Sequence, residues 1–281
     1  MGVRFGSLVV LLALGMTAAC AQSPAPSPMP PPALPDLLGD EPTDGTPAGL
    51  SPPQPAETEA TPEQLDQLAK LTRAAEKDRS AAERLAEIYL DGHWVPRDLA
   101  AAAAHLKKAI ELGSTTALNK LGVLLANGGP GLPRDPVQGL AYLQRGASAH
   151  DPKAVYNLAQ QYRSGDLVER DESAAYRLFH EVSEVRSDDP SVRAVAANAQ
   201  TNLGILSMDG LGTKRDPAAA VELWKQASAA DNVRAWYFLG LACARGEGTA
   251  KDAGEARKWL QKAFDKGFSP AAAAITALDR K

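Results

Sequence analysis

Cysteine is scarce in this 281-residue chain, which has two, Cys20 and Cys243. That excludes a disulfide-stapled scaffold and any zinc site built on cysteine pairs. Histidine is also thin: His93, His105, His150 and His180 never fall at metal-ligand spacing. Aromatic residues make up 5% of the chain. With its alanine-rich stretches, this argues for helices over a β-sandwich. Basic charge is in no surplus. The formal net charge is −4, but residues 21 to 62 hold six acidic residues and no basic one. From Glu63 onward 29 Lys and Arg face 28 Asp and Glu. Nothing remains to neutralise a row of phosphates, so general nucleic-acid binding is excluded.

What is present begins with a leader. Arg4 precedes an apolar run, Leu8 to Met16, and then Thr17, Ala18 and Ala19. This is the pattern of an export signal over residues 1–19, and the run is shorter than the about 20 residues of a spanning helix. Thr17-Ala18-Ala19-Cys20 resembles a bacterial lipobox, although Thr17 stands where that family usually has Leu. The resemblance implies acylation of Cys20, with palmitate among the chains. Ala21 and Gln22 lack the aspartate that retains lipoproteins at the inner membrane, so it also implies an outer-membrane anchor facing the periplasm. Ala19-Cys20-Ala21 is equally an A-x-A cleavage site, which would release a chain starting at Gln22.

Thirteen of the 21 prolines fall between residues 21 and 62. Such a stretch forms neither helix nor sheet ladder and buries little. Residues 20–60 are expected to be a disordered tether, reaching about 35 Å if coil-like.

The remainder, residues 61–281, repeats with a period near 36. Leu85-Ala86, Leu121-Gly122, Leu158-Ala159, Leu203-Gly204 and Leu239-Gly240 each follow an Ala four residues earlier. Each precedes a turn glycine (Gly92, Gly128, Gly165, Gly210, Gly246) and a basic-Asp pair ending at Asp98, Asp135, Asp171, Asp216 and Asp252. The Leu-to-Asp spacing is constant except in the second copy, where Pro130 and Pro133 lengthen the loop. The small residue admits a neighbouring helix, the glycine ends the first helix, and the Asp caps the second. Asp135-x-x-Gln138 and Asp252-x-x-Glu255 are expected to form capping boxes. Nine additional residues around Pro190 predict a first helix about two turns longer in the fourth copy. Helices starting at Thr61-Pro62 and Ser269-Pro270 read as half-repeat caps, the first burying Leu65, Leu68, Leu71 and Ala75.

Arg234 to Gly240, Gly246-Glu-Gly248, Lys251-Asp252, Ala256, Trp259-Leu260 and Lys262-Ala263 are together similar to one full motif of the Sel-one-like repeat family, a relative of tetratricopeptide repeats. The resemblance covers about residues 80–278. It implies an all-α, right-handed superhelical α-solenoid of about five helix–turn–helix repeats, whose first helices line a concave face.

Chemistry is hard to find. No P-loop, H-E-x-x-H, G-x-S-x-G or G-x-G-x-x-G occurs, and no Ser sits three residues before a Lys. His105 and Cys243 fall on packing positions of the repeat. We therefore expect no catalytic residues, no metal, no cofactor, no small-molecule substrate and no enzyme.

The family resemblance implies instead a periplasmic scaffold holding one or more envelope proteins, attached to the membrane through Cys20. An immunity protein against a secreted toxic effector is an alternative, and a cell-wall hydrolase a more distant one. By analogy with tetratricopeptide grooves, the ligand face would carry Asn119, Tyr156, Thr201 and Tyr237, with Arg163 and Arg245 beside them. Glu83 and Asp209 fall there too and read as a solvated helix face. Tyr156 and Tyr237 are expected to be exposed, so that changing both to Ala leaves helicity intact and weakens capture.

Overall fold

The computed structural model describes residues 60–279, and the leader, Cys20 and nearly all of the tether lie outside them. Twelve helices and no strand occur among the described residues. Helix α1 (Pro62–Ala74) leads. The repeats are α2 (Arg79–Asp91) with α3 (Leu99–Glu111), α4 (Thr116–Asn127) with α5 (Pro136–Ser148), and α6 (Pro152–Ser164) with α7 (Glu172–Ser183). Then come α8 (Pro190–Asp209) with α9 (Pro217–Ser228), α10 (Val233–Arg245) with α11 (Ala253–Asp265), and a last single helix, α12 (Pro270–Asp279).

The punctuation acts as its chemistry requires. Asp98, Asp135, Asp171, Asp216 and Asp252 each accept a backbone N–H from the first turn of the second helix they precede. The two capping boxes do not close. The N–H of each cap is already spent, Asp135 donating to the Leu125 carbonyl at 2.8 Å and Asp252 to the Cys243 carbonyl at 2.9 Å, so Gln138 turns its amide onto the Asp135 carboxylate at 2.6 Å and Glu255 pairs with Lys258 at 3.1 Å. The reciprocal box forms at Thr61 and Gln64, where both bonds are present. After the second helices, His150 and Asp231 stand where other repeats have glycine. Both take the left-handed backbone, at φ 55 and 56.

Small residues set the packing. Ala117, Ala154, Ala199 and Ala235 are fully buried, as are Leu106, Leu121, Leu143, Phe179, Trp224 and Leu260 from facing helices. Each large side chain of this kind contributes roughly 1.5–3 kcal/mol by leaving water. Helix α8 runs for 20 residues against 12 or 13 in the other first helices, the two additional turns that the insertion predicts.

The ends are looser than the sequence suggests. Leu68 and Leu71 of α1 pack on the first core cluster, but Leu65 is 51% exposed and α1 buries no residue fully. Helix α12 buries Ala271 and is held at its far end by an Arg257–Asp279 ion pair.

Contacts between repeats define an inner side. First helices touch first helices: α4 meets α6, α6 meets α8, and α10 meets α12. Among the described residues no comparable contact joins second helices. The second helices are therefore splayed, and the first helices line the inside of the curve.

Candidate functional site

The inner face is built at the positions two and three residues before the small residue of each first helix. Those three before it reach the next repeat, those two before it reach back to the preceding one, and most are spent on these contacts. The Asn157 amide donates to Asn119 Oδ1 at 2.7 Å, joining α6 to α4. Asn202 donates to the Tyr156 hydroxyl at 3.1 Å, joining α8 to α6. Asn232, the N-cap of α10, donates to Asn198 at 2.6 Å and receives the Thr201 hydroxyl at 3.1 Å. The result is a seam of hydrogen bonds between repeats. Inside a low-dielectric interface such a chain is strong only while every member is matched.

The expected ligand residues lie deeper than a groove lining would. Asn119 is 1% exposed and Thr201 is fully buried. Tyr156 and Tyr237, expected to be open to the groove, are 7% and 4% exposed. The cause is close stacking: α8 lies over Tyr156, which also meets Phe179 edge-on, and Phe268 covers Tyr237 with ring centroids 5.2 Å apart. Removing these rings would open cavities costing about 3–5 kcal/mol each. A Tyr156→Ala, Tyr237→Ala double variant would thus report on folding before binding. Arg163 is half-buried, whereas Arg245 is exposed and 3.8 Å from Glu247.

What remains accessible on this side is charge. Arg84, Glu87 and Lys120 form a short ion-pair chain from α2 to α4, with Glu87 accepting at 3.2 and 2.7 Å. Burial raises the Glu87 carboxyl, and the hydrogen bonds and charges of Lys120 and Arg84 more than reverse this, leaving it below the ordinary carboxylate range. At the other end, Asp209, Arg215, Arg245 and Glu247 cluster at the C-terminal rim of α8 and α10. Burial pushes the Asp209 carboxyl up, Arg215 draws it down, Glu247 raises it and Arg245 lowers it, with a net rise.

Other singled-out residues serve packing. His105 stacks on Tyr89 with ring centroids 5.6 Å apart, and burial lowers its pKa. Cys243 is buried, which pushes its thiol up and away from reactivity. Among the described residues no group of three His, Cys, Asp or Glu could hold a metal ion.

A cleft of about 300 Å³ lies between repeats two and three, lined by Asn127, Arg134, Gln161 and Asp166 with Ala126 and Leu167. A smaller space of about 60 Å³ continues from it toward Asn157. The longer loop around Pro130 and Pro133 was one sequence sign that this junction differs.

The Sel1 repeat family model matches residues 79–114, 115–151, 152–181, 197–232 and 233–268. The gap between the third and fourth matches is the insertion that lengthens α8. Among solved structures, a Sel1 repeat protein from Oxalobacter formigenes is 19% identical, with a TM-score of 0.65 over 77% of this chain and 84% of that one. A sel1 repeat protein from Klebsiella pneumoniae is 23% identical, with a TM-score of 0.47 over 75% of this chain and 99% of that one. A protective antigen of uropathogenic Escherichia coli with an SLR fold is 22% identical, with a TM-score of 0.46 over 74% and 50%. The first of these shows a shared fold. No curated protein matches the chain by sequence.

Proposed function

Because the chain belongs to the Sel1 repeat family, we propose that it is a non-enzymatic protein-binding scaffold whose inner face holds an envelope protein. The carrying observation is the partly exposed charge at both ends of the inner side of the stacked repeats, above a seam that keeps those repeats in register. A curved stack of this kind offers a long surface for an extended segment. Arg84, Lys120 and Arg245 supply charge-assisted donors, with Arg163 at its edge. In this reading residues 1–19 are removed on export, Cys20 carries the lipid, and residues 20–60 hold the scaffold off the periplasmic side of the outer membrane. The six acidic residues and absent basic ones of residues 21–62 suit a spacer that does not cling to an anionic surface.

Fractionation and capture test this together. Cys20→Ser should move the protein from the membrane fraction to the soluble one and abolish acyl labelling. Arg84→Glu and Arg245→Glu, made in the full chain, should each leave helicity unchanged. Each should weaken capture of the partner from detergent-solubilised envelopes about tenfold, or about 1.4 kcal/mol. Unchanged capture by both variants would contradict the inner-face assignment. A mature chain starting at Gln22 would contradict the anchor.

A further inference from the structure

Neighbouring repeats are joined in two places. On the inner side each junction has a tie: Glu87 to Lys120, Asn119 to Asn157, Tyr156 to Asn202, and Asn198 and Thr201 to Asn232. Past the C-terminal ends of the first helices, the turn of one repeat also seats on the start of the preceding second helix. A methyl on Gly129 would lie 2.6 Å from Leu99 Cδ1 at the start of α3. One on Gly212 or Gly248 would run into the carbonyl of Glu172 or Pro217, at the starts of α7 and α9. Three of the four junctions are thus held twice.

The junction between repeats two and three is different. Two residues after the turn glycine, repeat three has Leu167 where repeats four and five have Gly212 and Gly248. Those glycines have φ 68 and 70, a backbone that strains an L side chain, and Leu167 does not take it. Between this turn and the chain entering α5 lies the cleft of about 300 Å³, with Asp166 and Leu167 on one wall and Arg134 on the other. The core thins at the same place. One apolar cluster runs from Ala75 to Leu125 and another from Val155 to Leu206. Helix α5 lies between them and lends Tyr142 to the first and Ala147 to the second. Of the three residues it buries, two are glycines, Gly139 and Gly146. Close contact is kept at its far end, where a methyl on Gly146 would lie 2.6 Å from Ala154 Cβ and 3.7 Å from the Asn119 nitrogen.

We propose that the stack bends at this junction, with α1 to α5 moving as one body and α6 to α12 as the other. The pivot is Gly146 on Ala154 together with the Asn119–Asn157 bond. The cleft takes up the motion, because atoms that face a void lack contacts to hold them. The other junctions, held on the inner side and at the turn, resist it. Hinges of this kind concentrate the change in a few positions and leave the packed bodies intact. Bending here alters the curvature of the inner face between Lys120 and Arg163, so a ligand that touches both bodies favours one curvature over the other. The joint does not depend on whether the inner face holds a protein.

The test is a set of distance distributions from pulsed EPR on the full chain, with spin labels attached to introduced ketone side chains so that both cysteines stay. The pair Lys107 and Arg177, on α3 and α7, spans the junction. Arg177 with Lys258, on α7 and α11, spans the two junctions beyond it, and Lys107 with Gln144 stays within the first body. The spanning distribution should be at least about twice as wide as either of the others. Leu167→Gly gives this turn the glycine of repeats four and five and should narrow the spanning distribution while leaving the other two unchanged. The comparison of the three pairs in the unaltered turn stands by itself if that variant fails to fold. Similar widths for all three pairs, narrow or broad, would overturn the joint. A broad Lys107–Gln144 distribution would do so too, by moving the bend to the first junction. An unchanged spanning width in folded Leu167→Gly would overturn the role given to the turn.

Discussion

Gly248→Ala is expected to destabilise the protein by about 3 kcal/mol and to lower its melting midpoint by roughly 6–12 °C. Gly248 sits in the turn of repeat five with φ 70, where an L side chain is strained. A methyl there would come within 2.0 Å of the Pro217 carbonyl oxygen and 2.4 Å of its carbon. Pro217 opens α9, so this turn seats directly on the start of the preceding repeat's second helix. Backbone at a helix N-terminus cannot step aside as a side chain can. Gly212 makes the same approach to Glu172 at the start of α7. Gly113 is the control, with φ 90 and nothing within 4 Å of an added methyl. Gly113→Ala should cost only the backbone strain, about 1 kcal/mol. Because stacked repeats unfold by neighbouring units, Gly248→Ala should deprotect α10 to α12 in hydrogen exchange before α2 to α5. Similar losses for Gly113→Ala and Gly248→Ala would mean that the second turn glycine is not a stacking contact.

Gly204→Ala should cost about 2–4 kcal/mol for a different reason. Here the backbone is ordinary helix and the obstacle is a side chain. An added methyl would lie 2.4 Å from Trp224 Nε1 and 2.8 Å from Cδ1. Trp224 has nowhere to retreat. It is 1% exposed, stacks on Phe238 with ring centroids 5.2 Å apart, and donates its indole N–H to the Thr201 carbonyl at 3.1 Å. The methyl must therefore break that bond or part α8 from α9. Thermal unfolding followed by tryptophan fluorescence reads both effects. A loss below about 0.5 kcal/mol, the ordinary range of a surface change, would show that the two helices are not held by this fit.

The fold was legible because each structural step has a chemical marker. The Ala-x3-Leu-small run, the turn glycine and the capping Asp each recur at fixed spacing, and Pro190 after Asp189 marks where the longer α8 begins. The inner face was less legible because spacing reports direction and not depth. Tyr156 and Tyr237 do point toward the next repeat, but Asn202 and Phe268 lie close enough to cover them. Asn157 and Asn202 recur at one repeat position, and that recurrence was the available sign of a hydrogen-bonded seam. The cleft residues were beyond reach of the pattern. Arg134 looks like any basic residue before a capping Asp, and Gln161 like any polar residue on a first helix. Only their meeting across two repeats makes a cleft.

The central claim is that the inner face, lined by first helices, holds a partner protein. Photo-crosslinking in intact envelopes tests it most directly, with a photoreactive residue placed in the full chain at Arg84, Arg163 or Arg245 on the inner side. Matched chains carry it at Gln144, Arg177 or Lys258, on the second helices. The account predicts one and the same crosslinked protein from the inner positions and none from the outer ones. Adducts from the outer positions alone would place the interaction on the second helices and contradict it.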